Sequence, residues 1–181
     1  MFTLMNYIKH VSKIDASRRQ IDTAIRLYFN DGDDIAIHTL TCASHEILKK
    51  LGKNINIESI ILDQMVGNIF EHKKEAFLKI INEAKNFFKH GLQGNKEIGK
   101  TIKFSPEFTD FWIWDACLMY RQLTGESTDY MKIFIVWFYT QNNEIISDDK
   151  TKDLFKKNIE ILPSSREEFF SYSMGIIGLL K

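Results

Sequence analysis

The sequence predicts an all-α fold, an antiparallel helical bundle of about four principal helices with additional C-terminal helices, in one domain spanning residues 1–181. Three observations carry this. Apolar residues recur at spacings of three and four along most of the chain, as one-sided helices require. Only two prolines and nine glycines interrupt 181 residues. Hydrophobic residues make up 44% and aromatics 13% of the chain, a composition unlike that of disordered or turn-rich β proteins. A chain of this length buries roughly 70% of its unfolded surface, enough for one continuous core.

The first helix opens at Asp15-Ala16-Ser17-Arg18-Arg19-Gln20 and carries Ile21, Ala24, Ile25, Tyr28 and Phe29 on one face. Asn30-Asp31-Gly32-Asp33 ends it. Asp34 is the expected N-cap of a second helix running to Leu51, with Gly52 in the position where a left-handed residue closes a helix. The short connection predicts an antiparallel hairpin. A third helical stretch begins near Ile57, meets an interruption at Gly67-Asn68, and runs from His72 to His90 with the stripe Phe77, Ile80, Ile81, Ala84 and Phe88, stopping at Gly91.

Gly91, Gly94 and Gly99, interleaved with lysines, make Leu92 to Lys103 read as a mobile basic loop. Pro106 suits the first position of a fourth helix, with Ser105 capping it and Gly125 ending it. Ser127 to Gln141 reads as a densely apolar helix, Asp148 to Ile161 as a more polar one, and Ser165 to Leu180 as a last helix carrying Phe169, Phe170, Met174, Ile177 and Leu180.

The longest apolar run, Ile133 to Tyr139, has seven residues, whereas a membrane-spanning helix needs about 20. The N-terminal residues lack the apolar run and small-residue cleavage site of a secretory signal. Cys42 and Cys117 lie far apart with no ligand spacing, so neither a disulfide framework nor a zinc knuckle is implied. A cytoplasmic location is the expectation. Net charge is zero, yet His72 to Lys103 holds eight lysines against three glutamates, and Ser105 to Asp149 eight acids against two bases. Such segregation either serves an acidic or phosphate-bearing partner or is satisfied between neighbouring helices and water.

One local pattern carries a specific chemistry. Lys85-Asn86-Phe87-Phe88-Lys89-His90 resembles the motif of the HEPN domains, helical bundles marked by an arginine, a polar neighbour, a short spacer and a histidine. The resemblance implies a dimer, a role in defence or toxin–antitoxin systems, and metal-independent RNA cleavage in active members. Lys85 then stands for the arginine, Asn86 for the polar neighbour and His90 for the histidine. Lysine keeps the charge but lacks the planar fork that grips a phosphate through two parallel hydrogen bonds. In that reading His90 exchanges a proton with the reacting oxygens and Lys85 balances charge on the phosphorus centre. Lys89, Lys96, Lys100 and Lys103 are the expected nucleic-acid contacts.

His38 and His45 lie seven apart on the second helix, hence near one face, flanking Cys42. His45-Glu46 continues as Ile47-Leu48-Lys49, so the two-histidine zincin pattern fails at its second histidine, and no metal or other cofactor is expected. Asp115 falls within an apolar helical stretch and needs a buried partner, which His38, His45, Arg18, Arg19 or Arg26 can supply. These three polar residues are expected to be structural. The nearly all-apolar Ser127 to Gln141 helix must be either central or covered by a second subunit, so a homodimer is anticipated. The leading expectation is an HEPN-like RNA-binding protein or divergent ribonuclease. The alternative is a non-catalytic protein–protein interaction module acting as a homodimer.

Overall fold

The computed structural model describes residues 8–65, 71–89, 99–146, 149–150, 152–153, 156 and 161–180. Among these the structure is all-α, with no strand. The long helices wholly among the described residues are α1 (Lys13–Phe29), α2 (Asp34–Gly52), α3 (Glu71–Lys89), α4 (Glu107–Thr124), α5 (Asp129–Gln141) and α6 (Arg166–Leu179). A π-helical turn covers Ile60–Met65. Of the helix expected over Asp148 to Ile161, residues 149–150, 152–153 and 156 are helical, Ile161 is in a turn, and the others lie outside the described residues.

Several helix ends differ from the sequence reading, each for a local reason. Helix α1 starts at Lys13 because Ser12, in extended conformation, accepts a hydrogen bond from the Asp15 amide at 3.0 Å. Helix α2 is capped by Asp33, not Asp34, through the Ala36 amide at 2.8 Å. Gly52 is right-handed and inside the helix. The chain first turns left-handed at Asn56, φ 56°, and Gly52 is needed because a Cβ there would stand 3.0 Å from Ile57. Ser105 makes no side-chain cap; a backbone turn over Pro106 starts α4. Gly125 does close α4, at φ 75°. Thr128, not Ser127, caps α5 through the Met131 amide.

The core is built between α1, α2, α4 and α5, with α6 laid across α5 and α1. Phe29, Phe134, Phe138 and Phe169 are fully buried and bring α1, α5 and α6 together. Covered by α1, α4 and α6, α5 hides most of its apolar circumference within one chain. Its composition therefore needs no second subunit. Helix α3 is different: it packs on α2, and none of its described side chains is buried. Ile80, expected in a core stripe, is 66% exposed. No helix among the described residues is long and apolar enough to cross a membrane.

Candidate functional site

Asp115, fully buried on α4, supports a polar network that joins three elements. Its Oδ2 accepts the Ser59 hydroxyl at 2.5 Å and faces His45 Nε2 at 2.8 Å, while its Oδ1 accepts the Ile60 amide at 2.9 Å. A carboxylate can only accept, so the His45 tautomer that fits carries its proton on Nε2. The edge of Trp112 closes the far side, its ring centroid 4.8 Å from that of His45. Ser59 accepts the Leu62 amide and donates its own amide to Asp63, a reciprocal cap on the π-helical turn, and Lys49 pairs with Asp63 at 2.9 Å.

Serine, histidine and aspartate are thus within hydrogen-bond distance of one another, but not in a nucleophile's order. The aspartate stands between the other two and accepts from both, so His45 Nε2, 3.2 Å from the Ser59 hydroxyl, carries a proton and is not placed as its base, and all three are sealed from solvent. The network is a clamp that fixes the turn after α2 to α4.

His38, one face along α2, has separate partners. Its Nδ1 lies 3.0 Å from Thr109 Oγ1 and its Nε2 lies 3.4 Å from Cys42 Sγ. Burial, reinforced by the Lys85 charge, pushes His38 down to about 4, and burial pushes the Cys42 thiol up to about 12. A protonated thiol donates to Nε2, which leaves Nδ1–H to donate to Thr109. Both groups are neutral and inert near pH 7. His38 and His45 do not converge, and no group of three His, Cys, Asp or Glu side chains among the described residues is arranged to hold a metal.

The end of α3 lies over this face. Lys89 Nζ meets Glu46 Oε2 at 2.8 Å, and Lys50 takes the other oxygen at 2.9 Å. These hydrogen bonds, Lys89's first, draw Glu46 down to about 2. Lys89 is therefore held by a carboxylate on α2. Lys85 is half-buried and within electrostatic reach of His38 and Cys42, and no carboxylate among the described residues pairs with it. Asn86 is exposed beside it. His90 and Lys96 lie outside the described residues. Lys100 and Lys103 are exposed on the segment entering α4.

A second polar cleft was not legible in the sequence. Tyr28 donates its hydroxyl to Asp110 Oδ2 at 2.8 Å and accepts Trp137 Nε1–H at 3.0 Å, and the Arg166 guanidinium lies 4.1 Å from the Tyr28 ring centroid. Burial lifts Asp110 to about 6 even though the Tyr28 hydrogen bond opposes it. Burial, then the Asp110 charge, holds the Tyr28 phenol well above its usual range. The arrangement ties α1, α4, α5 and the start of α6 together. Arg18 and Arg19, considered as partners for Asp115, instead serve Asp15, and Arg18 also Asp22.

The class defined here is an all-α bundle with a buried aspartate–histidine clamp and a peripheral amphipathic helix carrying a lysine–asparagine pair. The chain matches no protein-family model, no curated protein and no solved structure.

Proposed function

We propose that this protein is an HEPN-like helical protein that binds RNA at the C-terminal end of α3. One observation carries the reading: of the lysines on this face, Lys49, Lys50 and Lys89 are ion-paired, whereas Lys85 has no carboxylate partner among the described residues and sits half-buried next to the exposed Asn86. A partly desolvated, unpaired ammonium attracts a phosphate more strongly than one already neutralised. The carbonyl end of a helix disfavours anions, so a single α3 end is a weak phosphate site. Two ends brought together in a homodimer supply the missing charge.

The test is fluorescence anisotropy of a labelled mixed-sequence RNA at low salt, where phosphate contacts are strongest. Wild-type protein binds with an affinity that falls steeply with salt, and Lys85→Gln weakens binding several-fold. Cleavage of the same RNA with chelator present, lost in His90→Ala, assigns ribonuclease chemistry. Wild-type protein that neither binds nor cuts overturns the reading.

A second reading is favoured by the outer side of α6 and its end. Tyr172, Ile176, Leu179 and Leu180 are exposed there, Leu179 by 88%. Apolar side chains grouped on one helix support a protein-interaction module, including self-association. In that case Ile176→Asp breaks association in sedimentation experiments and leaves RNA binding untouched.

A further inference from the structure

Helices α3 and α4 both rest on α2 but stand apart from each other, leaving a cavity of about 400 Å3 between them. Its size falls in the range of small-molecule sites, roughly 300–1,000 Å3. The floor is His38 on α2 and Ile61 on the π-helical turn. One wall is the apolar face of α3, with Ile80, Ile81 and Ala84. The opposite wall is aromatic, formed by Phe104, Phe108, Phe111 and Trp112. Of the stripe that the sequence marks on α3, Ile80, Ile81 and Ala84 face this apolar space. Ile80 and Phe108, 66% and 62% exposed, flank it.

The charges near this space select among occupants. Glu83 on one wall and Lys103 on the other are of opposite sign, exposed and without an ion-pair partner among the described residues, so together they favour neither an anion nor a cation. Inside, both ring nitrogens of His38 are already occupied. A charge placed deep in this space, away from Glu83, Lys103 and Ser105, would lose its hydration with little to replace it. An uncharged apolar molecule loses only unfavourable contact with water, and the aromatic wall suits an aliphatic or aromatic body.

We infer that the space between α3 and α4 is a binding site for a small, uncharged, apolar molecule. Lys85 is not among its lining residues, so the site is independent of the proposed RNA contact.

The experiment titrates the full-length protein with decanol, decanoate and decylammonium at neutral pH, read by tryptophan fluorescence, to which Trp112 in the wall contributes. Decanol is expected to bind saturably and at least tenfold more tightly than either ion. Ala84→Phe, which fills the space with its own side chain, is expected to weaken decanol binding at least tenfold while leaving the thermal midpoint unchanged or raised. Ile80→Ser, at a position outside the core, is expected to weaken it several-fold and serves if Ala84→Phe does not fold. Lys85→Gln leaves decanol binding unchanged. Absence of saturable binding, equal binding of the ions, or unaltered affinity in both filling and polar variants overturns the proposal. So does a wild-type dimer that Ala84→Phe converts to monomer, because the occupant is then a second copy of the chain.

Discussion

His45 and Asp115 are 70 positions apart in the chain and meet at 2.8 Å in the interior. The aspartate accepts from a side chain of α2, from Ser59 and from the Ile60 amide, so one buried carboxylate fixes the relative placement of α2, the π-helical turn and α4. A buried carboxylate is costly to desolvate, and three donors are what make it tolerable.

Removing that carboxylate strands the three donors. Asp115→Ala is expected to destabilise the fold by about 3 kcal/mol or more, since a buried donor left unsatisfied costs about 1–3 kcal/mol and three are left so. Urea unfolding followed by circular dichroism measures it, and a loss below about 1 kcal/mol would contradict the clamp, since only exposed pairs contribute so little.

Glu46 neutralises Lys50 and Lys89 on the face proposed to meet RNA. Glu46→Gln should release both ammonium groups at a stability cost under about 1 kcal/mol, because the pairs are largely exposed. The expected outcome is tighter RNA binding at low salt with a steeper dependence on salt, opposite in direction to Lys85→Gln. Salt titrations of both variants decide it; unchanged slopes would remove this face from the RNA reading.

The buried His38 and the partly buried Asp110 give opposing pH dependences. Asp110 titrates at about 6 when folded against 3.8 when unfolded, so between these values the native state holds a proton that the unfolded state has lost, and stability falls as pH rises. His38 titrates at about 4 when folded against 6.5 when unfolded; here the unfolded state holds the extra proton, and stability rises with pH. Over about pH 4 to 6 the two offset one another, each being at most about 1.4 kcal/mol per pH unit. Asp110→Asn keeps an acceptor for Tyr28 and removes one side of this balance. Its stability relative to wild type should therefore grow from pH 4 to 6 and then level off, as thermal melts across that range will test.

Tyr28→Phe removes a hydroxyl that donates to Asp110 and accepts from Trp137. Leaving these two partners unsatisfied should cost about 1–3 kcal/mol. Because the Trp137 indole N–H loses its acceptor, a change in tryptophan emission should accompany the loss, and a variant with wild-type stability would show that water replaces the hydroxyl.

Much of the bundle was legible in the chain because periodicity and punctuation are local. The spacing of Ile21, Ala24, Ile25, Tyr28 and Phe29 specifies the buried face of α1 in the structure, and Gly125 ends α4 since a left-handed residue there suits glycine. Caps were read less well. Helix α2 is capped by Asp33 where Asp34 was expected, and Ser12 and Thr128 cap α1 and α5, because neighbouring polar residues compete and the choice depends on which one adopts extended backbone.

The Lys85-Asn86 pair and the histidines of α2 stood out as residues, but not their surroundings. That Lys89 is held by Glu46 and that Lys85 lies near His38, without a carboxylate partner among the described residues, depend on how α3 crosses α2, which no local pattern encodes. The Tyr28–Asp110–Arg166 cleft had no sequence signal at all, since its members come from three helices and none sits in a motif.

By itself, then, the sequence determined an all-α bundle, the helices that compose it and the apolar face of each, because a 3.6-residue period is set by backbone geometry acting over a few turns. Tertiary structure alone decided that Asp115 pairs with His45 rather than with an arginine, that α5 is covered within one chain, and that Ile80, Ile81 and Ala84 of the α3 stripe border a cavity. Those outcomes rest on which helix faces meet across long stretches of chain, and packing of that kind is settled by the whole set of side-chain shapes and charges at once.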